Sequence, residues 1–326
     1  MAVCLSSTRS HPGTLAAAVD AHPPADLDDA LLRAVAWVSV PADSTRDRWE
    51  ALATLGALDL GFARAVEPHW DAVSILREAG HAVPDGPAGV FAAEGGDDPL
   101  LAAPDGTLSG TKPWCSLADR LDFALVTAGV ADGSRQLFAV DLRQPGVRAH
   151  PGAWHARGLT EIPSGPVRFD AVTAHPVGAP GWYLRRPGFA WGGIGVAACW
   201  FGGAVGIART VHEAAADRPN PYLLMHLGAI DRELEDARRA LAEAAESIDT
   251  GDPEPRLLAK RVRATVARAC EQVIERSGHA LGPAPLALDA AHAKRVADLE
   301  LYVRQHHAER DLAALGEALA SGPRPW

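Results

Sequence analysis

The chain has 326 residues, of which 48% are hydrophobic and 22% charged, and its formal net charge at pH 7 is -10. This length is enough to bury a large core, and length alone favours two or three domains. Dense runs of lysine and arginine are missing, so the sequence lacks the electrostatic footprint of a nucleic-acid-binding protein.

Residues 1–85 have a helical pattern, after a first stretch of about 25 residues that we expect to be disordered. Asp26 is a suitable N-cap for a helix that runs from Leu27 to Val38. Further along, apolar residues recur at helical spacing between Leu52 and Ala63, and the pattern continues to Gly80. We therefore predict an N-terminal helical domain over residues 1–85.

Between residues 86 and 187 the residue composition changes, and proline and glycine recur every few residues. Short β-favouring runs lie between them, at Leu121–Ala128, Gln136–Leu142 and Val167–Val172. The dipeptide Asp132-Gly133 separates the first two runs and is typical of a tight hairpin turn. This pattern predicts a small antiparallel β-barrel or β-sandwich over residues 86–187.

Residues 188–326 return to helical spacing. One apolar stripe runs from Leu234 to Ile248 and a second from Leu258 to Val273, joined by a loop rich in Asp, Gly and Pro. Antiparallel helices with a short connection pack as a bundle, so we predict a C-terminal four-helix bundle and an α+β fold overall. The uncharged stretch Gly188–Ala208 is long enough to span a bilayer. Its many small residues favour a buried helix instead, and we expect no membrane span.

Cysteine and histidine usage indicates neither disulfides nor a metal site. The four cysteines are irregularly spaced without a CxxC pair, which suits a reducing cytoplasm. The histidines have no spacing typical of metal ligands. The N-terminus has no basic region followed by an apolar run, so we expect no signal peptide and a cytoplasmic location.

The most informative stretch runs from Leu108 to Asp119. It contains a Gly-x-Lys-x-Trp pattern ending at Trp114, then Cys115 and Ser116, and it leads into the strand-like run from Phe123. Such a turn would place an indole and a small hydroxyl at the lip of the β-domain. The segment resembles the flavin-facing segment of the acyl-CoA dehydrogenase family, in which a Trp and a Ser or Thr border the isoalloxazine ring.

Other segments resemble the same family in the same order, over about residues 45–318. They are Phe91–Glu94, Trp154–Leu159 with Val167–Val172, Gly203–Ala208 and Ser277–Ala280. The resemblance implies a bound FAD, with Ala93, Trp114, Cys115 and Ser116 as cofactor contacts. It also implies a homodimer or homotetramer in which Arg218 reaches the neighbour's FAD, although the Phe-Gly that follows this Arg in the family is absent here.

The catalytic base departs from the family's pattern. Family members remove an α-proton with a Glu that stands eight residues after an Arg-Asp pair, and the same count from Asp298 leads to His306. The family's other position for the base lies on the first long C-terminal helix, where Pro187–His212 contains no Asp or Glu. Three interpretations stay open: His306 is the base, Glu309 is the base, or proton abstraction has been lost.

The resemblance implies an FAD-dependent oxidoreductase that introduces an α,β double bond into an acyl thioester. The carrier could be CoA or a carrier protein, because the stretch between Glu94 and Gly110 is shorter than in the family. Electrons would pass to an acceptor flavoprotein or a reductase. Two alternatives are a non-catalytic acyl- or flavin-binding scaffold subunit and a monooxygenase that takes reduced flavin from a partner.

Overall fold

The structure is a computed structural model, and it describes residues 1–6, 11–251 and 254–323. The helices of these residues are α1 (Thr14–Ala21), α2 (Leu27–Trp37), α3 (Thr45–Leu58), α4 (Leu60–Glu78), α5 (Trp182–Arg185), α6 (Pro187–Asp217), α7 (Pro221–Asp249), α8 (Pro255–Leu281), α9 (Pro283–Leu288), α10 (Ala290–Tyr302) and α11 (Glu309–Ser321). The strands are β1 (Ala88–Phe91), β2 (Leu101–Ala102), β3 (Thr107–Lys112), β4 (Phe123–Gly129), β5 (Arg135–Asp141), β6 (Val147–Ala149), β7 (Val167–Thr173) and β8 (His175–Val177).

Three of the helices before the sheet, α2, α3 and α4, begin at polar caps. Asp26 caps α2 as predicted, because its carboxylate accepts from the backbone N–H of Asp29. The helical spacing after Leu52 is divided between α3 and α4, since Asp59 has an extended backbone and caps a new helix through Gly61 N–H at 2.7 Å. The pattern ends at Gly80, whose backbone is left-handed with φ of 73°.

The expected disorder of the first 25 residues is wrong for the part that the structure describes. Helix α1 buries Leu15 and packs on α3. Two buried carboxylates of α3 hold this segment: Asp47 accepts from Leu15 N–H at 3.0 Å, and Glu50 accepts from Leu5 N–H at 2.8 Å. These partners lie more than 30 residues away along the chain, so local composition does not reveal them.

The eight strands form one sheet in the order β6-β7-β3-β2-β4-β5-β8, with β1 paired to β4. The predicted hairpin is confirmed, because β4 and β5 pair antiparallel and Gly133 takes a left-handed conformation in the connecting turn. The sequence predicted an antiparallel sheet, but the observed sheet is mixed. Strands β1 and β2 both pair parallel to β4, and they follow α4 and a long loop rather than a hairpin turn.

After the sheet, α6, α7, α8 and α10 pack side by side. Helix α6 is long and apolar enough to cross a membrane by length and composition, yet 78% of its most apolar window is buried inside the protein. Its glycines let α3 approach closely: a Cβ on Gly202 would lie 2.1 Å from the carbonyl oxygen of Ala53. The small residues of this helix therefore serve close helix packing, as predicted.

We expect Gly202→Ala to destabilise the protein by about 1–3 kcal/mol, because its methyl group would push α3 away from α6. Gly278→Ala on α8 is the matched control, since a Cβ there has no neighbour within 4 Å. Alanine is the better helix former, so the control should gain up to about 1 kcal/mol. Urea unfolding measures both values, and a Gly202→Ala variant as stable as the natural protein would contradict the packing argument.

Candidate functional site

A buried lysine fixes the segment that the sequence singled out. Lys112 ends β3, and its side chain is only 1% exposed. Its ammonium group donates to the backbone oxygen and the hydroxyl of Thr127, both at 2.7 Å, and to Glu94 Oε1 at 2.9 Å. Burial lowers the pKa of Lys112, and the Glu94 carboxylate opposes that shift. The ammonium group thus joins β3 to β4 and to the segment after β1.

The turn that follows Lys112 contains two non-glycine residues in the left-handed region. The φ angles of Trp114 and Leu117 are 59° and 58°, a conformation that costs about 1–2 kcal/mol at each residue. Two backbone hydrogen bonds hold it, from Cys115 N–H to Gly165 O at 3.0 Å and from Leu117 N–H to Pro163 O at 2.9 Å. Strained backbone that is held in this way is a feature of functional sites.

This backbone conformation exposes the side chain of Trp114 and buries that of Cys115. The indole of Trp114 is 62% exposed and stands edge-on to Trp154, with ring centroids 6.4 Å apart. Cys115 is buried, and burial raises the pKa of its thiol to about 12, so the thiol is protonated and packed. Ala93, the fourth predicted cofactor contact, is half-buried in the segment after β1.

Ser116 is buried beside a guanidinium group from the N-terminal helices. Arg64 Nη2 on α4 donates to Ser116 Oγ at 2.9 Å. The hydroxyl of Ser164 lies 2.6 Å from that of Ser116, and either can be the donor. Ser164 Oγ also donates to Ile162 O at 3.2 Å, and in that arrangement the Ser116 O–H donates to Ser164. The predicted hydroxyl therefore lies next to a positive charge that the sequence analysis did not anticipate.

A series of aromatic and arginine contacts leads from Arg64 toward the C-terminal candidates. The Arg64 guanidinium lies 5.9 Å from the ring centre of Tyr302, and Tyr302 stands edge-on to Trp200. The Arg263 guanidinium lies 4.7 Å from the ring centre of Trp200 and donates to the backbone oxygen of Gln305 at 3.0 Å. This series places the residue after Gln305, His306, at the edge of the same buried region.

The two candidate bases differ in environment. His306 is half-buried, and its Nε2 is buried without a hydrogen-bond partner among the described residues. Burial lowers the pKa of His306, while Asp311 partly opposes the shift. Glu309 is exposed at the first turn of α11, after Ala308 in a left-handed conformation. The surroundings of His306 therefore suit a neutral proton acceptor better than those of Glu309.

Arg218 lies apart from these residues at the end of α6. Its side chain is 90% exposed and pairs with Asp217 at 3.0 Å. Exposed apolar side chains follow at the start of α7, where Tyr222 is 78% and Met225 53% exposed. The contact of Arg218 with Asp217 does not connect it to the turn at Trp114, and its predicted role toward a neighbouring chain's cofactor stays a prediction.

One group of three carboxylates is close enough together to hold a metal ion: Asp59, Glu161 and Asp298. The ammonium group of Lys294 lies among them, at 2.8, 2.7 and 2.6 Å respectively. Burial lowers the pKa of Lys294 and the three carboxylates raise it, with a net upward shift. The cluster has a structural role, since Asp298 also accepts from Leu159 N–H at 2.6 Å and so joins α10 to the loop between β6 and β7.

A cavity of about 440 Å³ lies between α3, α4 and the first turns of α6. Three carboxylates of α4 line it, Glu67, Asp71 and Glu78. Burial raises the pKa of Glu67 to about 7, with Asp71 adding to the shift and Arg64 opposing it. Neither Arg64 and Glu67 nor this cavity was predicted from the sequence. The available signal was the spacing of Arg64, Glu67 and Asp71, which puts three charged residues on neighbouring faces of a mostly apolar helix.

Comparison with solved structures identifies the fold. No protein-family model and no curated protein sequence matches this chain. The structure of FMN-bound TdsC from Paenibacillus sp. A11-2 aligns with a TM-score of 0.75 and 17% identity, covering 87% of this chain and 86% of TdsC. KijD3 in complex with FMN and a dTDP-linked amino-keto sugar aligns with a TM-score of 0.74 and 18% identity, covering 90% of this chain and 83% of KijD3.

A variant of the Tcur3481-Tcur3483 steroid acyl-CoA dehydrogenase aligns with a TM-score of 0.69 and 22% identity, covering 84% of this chain and 81% of that chain. TdsC is a dibenzothiophene monooxygenase, so the fold is shared by dehydrogenases and monooxygenases. The chain therefore has the acyl-CoA dehydrogenase-like fold, as the sequence resemblance implied. At these identities the likeness establishes the fold, and a shared fold does not by itself assign a reaction.

The raised pKa of Glu67 makes a prediction for stability. A carboxyl whose pKa is higher in the folded than in the unfolded state stabilises the fold while protonated, and that contribution is lost as the pH rises from about 4.5 through about 7. The glutamine of Glu67→Gln does not titrate. The free energy of unfolding of this variant, relative to that of the natural protein, should therefore rise by about 3 kcal/mol between about pH 5 and about pH 8. Unfolding free energies at the two pH values measure this gain. Glu309→Gln is the exposed control, and a gain for Glu67→Gln that does not depend on pH would refute the assignment.

Proposed function

We propose that this chain binds a flavin against the turn of Trp114, Cys115 and Ser116 and acts as a flavin-dependent oxidoreductase. The observation that carries the proposal is the strained turn itself, which exposes an indole beside a buried hydroxyl. The TdsC and KijD3 structures, which contain FMN in the same fold, support it. The resemblance favours FAD for this chain, and these two structures make FMN the alternative.

The residues at the turn suit a flavin chemically. The exposed indole of Trp114 offers an aromatic surface to a ring system. A flavin acceptor atom would compete with Ser164 Oγ for the Ser116 O–H. Ala93, the residue before Glu94, adds a small side chain. The Arg64 guanidinium lies against Ser116, where a positive charge would stabilise the negative charge of a reduced flavin.

The first candidate reaction is the α,β-dehydrogenation of an acyl thioester of CoA or of a carrier protein. A bound flavin would accept the β-hydrogen as a hydride, and the α-proton must leave to a base. His306 would take this proton at Nε2, because burial keeps its imidazole neutral near pH 7 and this nitrogen has no partner among the described residues. Glu309 is the second choice because it is exposed. The electrons would leave to an acceptor flavoprotein or a reductase.

The second candidate reaction is monooxygenation of a small molecule with oxygen and reduced flavin from a partner reductase. The observation that favours it is the imidazole of His306 in place of the carboxylate that dehydrogenases use. A chain without either activity would act as a binding or scaffold subunit. The two reactions differ in what they consume, since only monooxygenation requires oxygen and an external reductant.

The first test is flavin binding to the purified full-length chain. We expect a flavin absorption spectrum, in the natural protein as isolated or after addition of FAD or FMN, with chromatography of the released cofactor to identify it. Trp114→Ala should weaken binding about tenfold through loss of ring stacking. Leu101→Ala, 54% exposed on β2 of the same sheet, is the control and should bind normally. Binding of neither flavin would end the oxidoreductase proposal.

The second test separates the candidate bases and the candidate reactions. With flavin bound, His306→Gln should reduce the rate of flavin reduction by a panel of acyl-CoA thioesters about 100-fold or more, whereas Glu309→Gln should change it by less than about twofold. The reverse order would assign the base to Glu309. Oxygen consumption that needs an added reductase would support monooxygenation. Flavin binding without either reaction would leave the role of a binding subunit.

We also propose that the chain forms a homodimer or homotetramer. The exposed apolar side chains at the start of α7, close in sequence to Arg218, support this assembly. Arg218 would then meet the cofactor of a neighbouring chain, where its planar guanidinium suits a pyrophosphate. Light scattering on the flavin-loaded protein should give the mass of two or four chains, and a monomer would contradict the assembly.

A further inference from the structure

The cavity between α3, α4 and α6 is a second concave site, distinct from the turn at Trp114. Its volume of about 440 Å³ is in the range of small-molecule binding sites. Arg64 and Ser116 are not among its lining residues. Glu67 is the link between the two places, because its carboxyl lines the cavity and lies 4.0 Å from Arg64 Nη1.

The walls of the cavity combine aromatic side chains with polar and charged groups. Three indoles line it, those of Trp49, Trp70 and Trp191. On α6 the lining residues include Gly192 and Gly195, which add no side chain. A Cβ on Gly195 would make ordinary contact with Trp49 Nε1 at 3.6 Å, so this glycine leaves space rather than avoiding a clash. These walls favour a ligand with a flat, apolar body.

The charged groups of the cavity are mostly balanced among themselves. Arg186 pairs with Glu78 at 2.7 Å and with Asp71 at 3.6 Å. Arg48 donates to Ser74 Oγ at 2.7 Å. Two guanidinium groups thus stand against Asp71, Glu78 and a Glu67 carboxyl that burial keeps partly protonated near pH 7. A charged ligand would be desolvated here without a matching counter-charge, and that is costly.

Two polar groups of the lining residues lack hydrogen-bond partners among the described residues. The indole N–H of Trp191 and the Nε–H of Arg186 are both buried without an acceptor among the described residues. Arg186 itself is only 5% exposed. The carboxyl group of Glu67 lies 4.0 Å from Arg64 Nη1, which is too long for a hydrogen bond. Buried donors of this kind normally have partners, so a ligand that fits should bring oxygen atoms.

We propose that this cavity binds an uncharged, flat ring compound that carries a hydroxyl or carbonyl oxygen. The rings lie among the indoles of Trp49, Trp70 and Trp191. The ligand oxygen accepts from the Trp191 N–H or the Arg186 Nε–H, and a hydroxyl on the ligand donates to Glu67. This site is independent of the flavin, and it gives the chain a second ligand next to its proposed oxidation site.

A matched series of probes tests the charge and chemistry of the ligand. We would titrate the full-length protein calorimetrically with 2-naphthol, 2-naphthoate, 2-naphthylmethylammonium and naphthalene, which share one ring body. We expect 2-naphthol to bind, and the anion, the cation and the hydrocarbon to bind at least about tenfold more weakly, because each lacks a favourable polar partner or adds an uncompensated charge. Absence of 2-naphthol binding, or tighter binding of either ion, would overturn the proposal.

Two variants place the binding in this cavity. Gly195→Leu inserts a side chain among the indoles and should weaken 2-naphthol binding at least about tenfold, whereas Gly278→Leu, which has open space around its Cβ, should leave binding unchanged. Trp191→Phe keeps the aromatic wall and removes one donor, so it should weaken binding about fivefold even if Gly195→Leu does not fold. Unchanged binding in Trp191→Phe and in a folded Gly195→Leu would show that the probe binds elsewhere. Trp114→Ala should not change 2-naphthol binding, and this result separates the cavity from the flavin proposal.

Discussion

The candidate site depends on the buried ammonium group of Lys112. This group satisfies both polar groups of Thr127 and the carboxylate of Glu94 from one point inside the sheet. A buried charge is stable only when it is paired and hydrogen-bonded, so β3, β4 and the segment after β1 must stay in register around it. The turn that follows Lys112 contains residues in the left-handed region at Trp114 and Leu117. The backbone hydrogen bonds to Gly165 O and Pro163 O then hold a conformation that most side chains disfavour.

Helix α4 connects this turn to the rest of the protein. Arg64 reaches the hydroxyl of Ser116, and one turn later Glu67 belongs to the wall of the cavity. Asp71 follows after a further turn and pairs with Arg186 at the start of α6. Helix α4 therefore contributes polar groups both to the turn at Trp114, through Arg64, and to the cavity, through Glu67 three residues later. The charges of both places are coupled through Arg64 and Glu67, which lie 4.0 Å apart. Protonation of Glu67 would strengthen the net positive charge beside Ser116.

The elements that local sequence controls could be predicted. The cap at Asp26, the hairpin at Asp132-Gly133 and the buried nature of α6 follow from capping, turn chemistry and the content of small residues. The order of short patterns also indicated the acyl-CoA dehydrogenase-like fold. What could not be predicted depends on distant partners. Arg64 and Ser116 meet across 52 residues, and the N-terminal segment is ordered by Asp47 and Glu50. A helical pattern predicts which side chains are buried, but it does not predict which distant residues they contact.

The central claim is that the flavin lies against the turn of Trp114, Cys115 and Ser116. A crystal structure of the purified chain with FAD or FMN tests this claim most directly. We expect the isoalloxazine ring next to the Trp114 indole, with Ser116 Oγ within hydrogen-bond distance of a ring atom and the Arg64 guanidinium beside it. A flavin bound elsewhere in the chain, for example in the cavity between α3, α4 and α6, would contradict the account.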